Sequence, residues 1–157
     1  HRPARSIRVV AFANEEAGMI GGKAYAAAHK DEVVKHVLGA ESDFGADRVW
    51  KFETNLPESA KAVGDRLAIA LSPLGISRGR ANAGGGTDVG PVLRTGVAGI
   101  DLGQSGLRYF DYHHTPDDTL DKIDPEQLRQ NVAAWTALLA IVANAPEDIG
   151  KVAPAAH

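Results

Sequence analysis

At 157 residues, 44% hydrophobic and 24% charged, the chain has the size and composition of one globular domain with a buried core. It contains no cysteine, which excludes disulfides, thiolate metal sites and thiol nucleophiles together, so any metal must be held by His, Asp or Glu. A formal net charge of −3 gives nucleic acid no electrostatic footing, no apolar run is long enough to span a bilayer, and the opening HRPARSIRVV does not read as a signal peptide.

Residues 6–13 (SIRVVAFA) are β-branched and apolar and read as a buried strand running into Asn14, Glu15 and Glu16. The alanine-rich residues 20–29 read as a helix, and residues 37–40 (VLGA) as a short second strand that closes on Glu41, Ser42 and Asp43. Alternation in residues 47–54 (DRVWKFET) predicts a further extended piece. Pro57 opens a helix in which Val63, Leu67, Leu71 and Leu74 share one face, and Gly75 ends it as a C′ glycine. Residues 76–82 read as extended, and residues 83–90 (AGGGTDVG) as a glycine-rich loop. Residues 97–102 (VAGIDL) form another buried strand. Asp124 caps the last helix, with Pro125 at N1, Gln127 completing a capping-box-like pattern, and Leu128, Val132, Trp135 and Leu139 as an apolar stripe. The tail, residues 145–157 (APEDIGKVAPAAH), reads as frayed.

This alternation predicts an α/β fold, a mostly parallel mixed sheet flanked by helices. In such sheets ligands bind beyond the carboxyl ends of the strands. Three strands lead to metal-type ligands there: Asn14-Glu15-Glu16, Glu41 and Asp43, and, through RYFDY, His113 and His114. Each has a plainer reading. Acids before a helix complement its dipole, ESD is a common acidic turn, and the histidine pair could be a solvated turn. Coincidence at three strand ends favours a metal site, with one carboxylate left free as general base.

NEEAG, ESDFG, GGGTDVGPVLRTGV and YFDYHHTPDDTLDKIDP, in that order, resemble the M28 family of zinc-dependent peptidases, in the group around carboxypeptidase Q and bacterial aminopeptidases. The resemblance covers roughly residues 5–145. It implies an exopeptidase that removes N-terminal residues from peptides through a co-catalytic two-zinc centre. Carboxypeptidase or dipeptidase action is one alternative, and a non-catalytic binding domain on the same fold is another. It implies Glu15 as general base, Glu16 as a metal ligand, Asp43 as ligand to the other metal, and His114, the histidine directly before Thr115, as a ligand. His113 and Asp88 would support the ligands or lie near the substrate. For Asp88 the plainer reading is a loop in which Thr87 or Asp88 caps a helix start.

The family's H-x-D histidine and bridging aspartate lie upstream of NEE. The chain's own H-x-D, His29-Lys30-Asp31, follows NEE and is in the wrong order. The expectation is therefore a single domain over residues 1–157 that forms the C-terminal portion of a longer peptidase domain and lacks its N-terminal portion. Such a chain would bind at most one zinc, weakly, with little or no activity of its own. An uncovered sheet edge would favour self-association. Expected partners are peptide substrates, with neither nucleic acid nor membrane, and the resemblance places the protein in the periplasm or outside the cell.

Overall fold

The computed structural model describes residues 2–152. Its sheet is organised by β1 (Leu38–Gly39), β2 (Val49–Asn55), β3 (Ser77–Arg78) and β4 (Ala98–Gln104), in the spatial order β1-β4-β2-β3. β2 and β4 run antiparallel, in register from Val49↔Gln104 to Asn55↔Gly99. The outer pairs, β1 with β4 and β2 with β3, are parallel and only two residues long. The sheet is therefore mixed, and its antiparallel centre carries most of the ladder. β4 is buried along nearly its whole length, as a strand covered on both faces is.

The helices are α1 (Ile20–Ala28), α2 (Lys30–Val33), α3 (Lys61–Leu71), α4 (Gly86–Leu93), α5 (Tyr109–Tyr112) and α6 (Pro125–Ala143). None among the described residues is long and apolar enough to cross a membrane. α3 and α6 pack against the β2–β4 centre, where Phe52, Val63, Leu67, Leu71, Ile100 and Leu138 are fully buried. A smaller cluster of Val33, Val92 and Val97 joins α2, α4 and the approach to β4. Asp124 caps α6, accepting from the backbone N–H of Glu126 at 2.8 Å. Gly75 takes the left-handed conformation, φ 75°, that closes the turn after α3.

Four sequence expectations are corrected. The first concerns the inward face of α6. Leu128 and Val132 are 42% and 59% exposed, and the buried positions are Gln130, Asn131, Ala134, Leu138, Val142 and Ala143. Two amides set this rotation. Gln130 accepts from Val49 N–H at 2.9 Å and donates to Val49 C=O at 2.7 Å. Asn131 donates to the carbonyls of Ala46 and Asp47 and accepts from Gln104. Fully bonded, these amides can lie inside, where unpaired ones would be costly.

Second, residues 6–13 form no strand, because no ladder partner lies beside them among the described residues. Third, much of the glycine-rich loop is helical, since α4 begins at Gly86 despite its glycines and Pro91. Fourth, the described part of the tail is docked rather than frayed. Ile149 is fully buried, Val152 N–H donates to Gly96 C=O at 2.9 Å, and the Arg66 guanidinium grips both Glu147 carboxylate oxygens at 2.7 and 2.6 Å. Residues 153–157 lie outside the described residues.

Leu138→Ala should lower unfolding stability by about 2–5 kcal/mol in a denaturant titration. Val132→Ser should stay within about 0.5 kcal/mol; the reverse order would refute this rotation of α6. The Arg66 hydrogen bonds hold the Glu147 carboxyl down to about 2, from an ordinary value of 4.5. Its contribution is thus complete above about pH 4.5 and lost as pH falls towards 2. Glu147→Gln should flatten that part of the acid-denaturation profile.

Candidate functional site

The first acidic pair sits in a tight turn. Gly18 and Met19 N–H both donate to Glu15 C=O, at 2.9 and 2.7 Å, turning the chain from residues 6–13 into α1. Gly21 then packs against the Ala13 backbone, where a Cβ would collide with the carbonyl oxygen. From the other side of the molecule, β4 leads through α5 to His113 and His114. His114 itself adopts the left-handed conformation, φ 59°, which is uncommon outside glycine and recurs at functional positions.

That backbone brings His114 Nε2 to 2.6 Å from Glu16 Oε1, across 98 positions of sequence. Both side chains are largely exposed, facing a cavity of about 570 Å³ that Asp43 and His113 also line. Glu15 and Asp88 are not among the lining residues. Asp88 is buried instead and accepts from Gly22 N–H at 3.1 Å, tying α4 to α1. His29 of the out-of-order H-x-D ends α1, its ring tilted against that of Tyr25 with centroids 4.5 Å apart.

An aromatic stack, not anticipated from sequence, supports His114. Phe44 stacks on Tyr109 with centroids 3.9 Å apart, Tyr109 on His113 at 4.5 Å, and His113 on His114 at 3.7 Å. His113 is thus a spacer between Tyr109 and His114. Burial pushes the Tyr109 phenol up, and the Asp43 and Glu16 charges push it further, so it remains a neutral hydrogen-bond donor in the cavity wall.

Two further carboxylates bind backbone rather than solvent: Glu41, which the sequence offers as a metal-type ligand at a strand end, and Asp101, which it does not single out. Glu41 accepts from the N–H groups of Thr87, Asp88 and Val89, capping α4 from across the fold. Burial pushes its carboxyl up, against those three bonds. Asp101, midway along β4, accepts from Gly84 and Gly85 N–H at 2.7 and 3.0 Å. Neither Thr87 nor Asp88 makes the cap itself. Glu41 thus serves as a helix cap and not as the strand-end ligand that its place in ESD suggests.

A carboxylate and an imidazole are the right donors for zinc. Their number is not: among the described residues no three His, Cys, Asp or Glu side chains are grouped to hold a metal. Glu16 and His114 supply two such donors, and Asp43 lines the same cavity.

Residues 1–139 match the model of peptidase family M28. Over 150 residues the chain is 32% identical to carboxypeptidase Q of Mus musculus and 32% identical to that of Homo sapiens, covering 96% of itself and 32% of each. A solved peptidase M28 precursor from Shewanella amazonensis SB2B superposes with a TM-score of 0.93 at 43% identity, over 99% of this chain and 35% of that one. The chain therefore spans about a third of the length of the relatives that it matches.

Proposed function

Because the chain belongs to peptidase family M28, we propose that it serves a zinc-dependent exopeptidase that releases N-terminal residues from peptides. The Glu16–His114 contact carries this reading, since it joins two zinc-type donors from distant parts of the sequence beside Asp43 in one cavity. Glu16 and His114 would hold one metal, and Asp43 would contribute to a second. Bound zinc would polarise the scissile carbonyl and acidify a water. Glu15, adjacent to Glu16 and without a side-chain hydrogen bond among the described residues, takes the attacking water's proton and passes it to the leaving amine. The aromatic stack holds the His114 ring in place, which limits the reorganisation needed as ligands bind.

A second reading, removal of C-terminal residues, is favoured by the name carboxypeptidase Q borne by relatives and by two cations in the cavity wall, Arg108 and Lys122. The Arg108 guanidinium is clamped by Asp47 through Nε and Nη2, and such a group suits a substrate carboxylate.

Zinc titration calorimetry on the metal-stripped chain should show at most one weakly bound ion, lost in His114→Ala. Two tightly bound ions would mean that the ligand set is wrong. With a full-length enzyme carrying this segment, acetylating a peptide's N-terminus should abolish cleavage while amidating its C-terminus should not. The opposite pattern would establish the carboxypeptidase reading, and cleavage of neither free peptide would dispose of both.

A further inference from the structure

Residues 6–12 make no backbone–backbone hydrogen bond among the described residues, and side chains hold them on the approach to Glu15 and Glu16. Before them the Arg5 guanidinium donates to the carbonyls of Val142, Ala145 and Glu147, at 2.7 to 2.9 Å. After them Gly21 N–H donates to Ala13 C=O at 2.9 Å. In the middle Arg8 donates to the Tyr25 hydroxyl of α1 at 3.0 Å and to the Glu32 carboxylate of α2 at 2.9 Å. Phe12 packs edge-on against the Tyr25 ring, with centroids 5.8 Å apart.

The Tyr25 hydroxyl has a second partner, His36 Nε2 at 2.9 Å. The proton positions follow from the donors and acceptors present. A guanidinium only donates, so the hydroxyl oxygen accepts from Arg8. His36 Nδ1 lies 3.0 Å from Glu32 C=O, which only accepts, so Nδ1 carries the proton. Nε2 of the neutral ring is then a bare lone pair, and the Tyr25 O–H donates to it. Every donor in this chain has an acceptor. A proton on Nε2 reverses the middle bond: imidazolium and guanidinium then share one oxygen, and the hydroxyl proton loses its acceptor. The surrounding charges do not offset this. Glu32, the one carboxylate among them, is engaged by Arg8 and faces His29 Nδ1 at 3.4 Å. Lys151 Nζ donates to the carbonyls of Val33 and His36 at 2.9 and 3.0 Å, and Lys35 lines the same cavity as Tyr25 and His36.

We infer that Arg8, Tyr25 and His36 form a pH-sensitive latch, closed while His36 is neutral and opened when it takes a proton. Opening displaces Arg8 from Tyr25 and leaves it only the ion pair with Glu32, whose side chains are 51% and 49% exposed. Pairs so exposed hold weakly. The segment thus released runs directly into Glu15 and Glu16, the second of which lines the site cavity. Histidine changes charge between about pH 5 and 8, so both states are reached near neutrality. The latch needs neither a bound metal nor a substrate, and so stands apart from the peptidase reading.

Ring-nitrogen NMR of His36 in this chain tests the closed state. At about pH 8 the proton should sit on Nδ1 and not on Nε2, and the opposite tautomer would overturn the latch. Backbone relaxation tests the opening. Order parameters of residues 7–10 should be those of rigid backbone, about 0.85, at about pH 8 and fall below about 0.6 at about pH 5. Tyr25→Phe, which keeps the ring and removes the hydroxyl, should give the lower values at both pH values. His36→Gln should abolish the pH step. Equal order parameters at the two pH values in the unaltered chain would overturn the latch, as would a step that survives in His36→Gln. So would loosening of the α6 amides together with residues 7–10, because the transition would then be general unfolding.

Discussion

Everything near the site hangs on β4, which is paired with β1 along one edge and with β2 along the other. Its antiparallel ladder with β2 fixes the centre of the sheet, and it is buried along nearly its whole length. From that strand a relay of carboxylates reaches outward. Asp101 holds Gly84 and Gly85, which start the turn into α4; α4 offers its first N–H groups to Glu41; and Glu41 fixes the end of β1, two residues before Asp43. Displacing β4 would therefore move Asp43 as well as His114, which the same strand delivers from its other end. Placement of the site is in this sense a property of the sheet's centre, although no site residue lies in it.

The long periodic elements were legible in sequence because local chemistry alone decides them. Asp124-Pro125 start α6, Gly75 closes the turn after α3, and Val63, Leu67 and Leu71 sit where a helical period puts them. The misreadings share a different cause, dependence on partners distant in sequence. Leu128 and Val132 mark an apolar stripe as good as the buried one, and only the backbone of Val49 and Ala46–Asp47 explains why Gln130 and Asn131 turn inward. α4 looks like a loop because its cap comes from Glu41, more than 40 positions away. Residues 6–13 have the composition of a strand, but composition cannot supply a neighbour.

For the site, resemblance singled out Glu16 and His114, which the fold brings within 2.6 Å of each other. Periodicity could not have found that pair, because nothing in local spacing relates positions 98 apart. The stack from Phe44 to His114 was equally invisible, since its rings come from the loop after β1 and from α5, brought together only by the parallel pairing of β1 with β4. His114 in a left-handed conformation is costly in isolation, and the rings packed beside it oppose its relaxation.

The Arg5 clasp joins the two ends of the described residues. By binding the carbonyls at the end of α6, it places the first described residues against nearly the last. A unit whose entry and exit points adjoin can be spliced into a host chain as a cassette, with little strain on the chain to either side. The same adjacency makes it a candidate for circular permutation: the ends could be joined and the backbone reopened at an exposed turn such as Gly75, leaving the sheet order untouched.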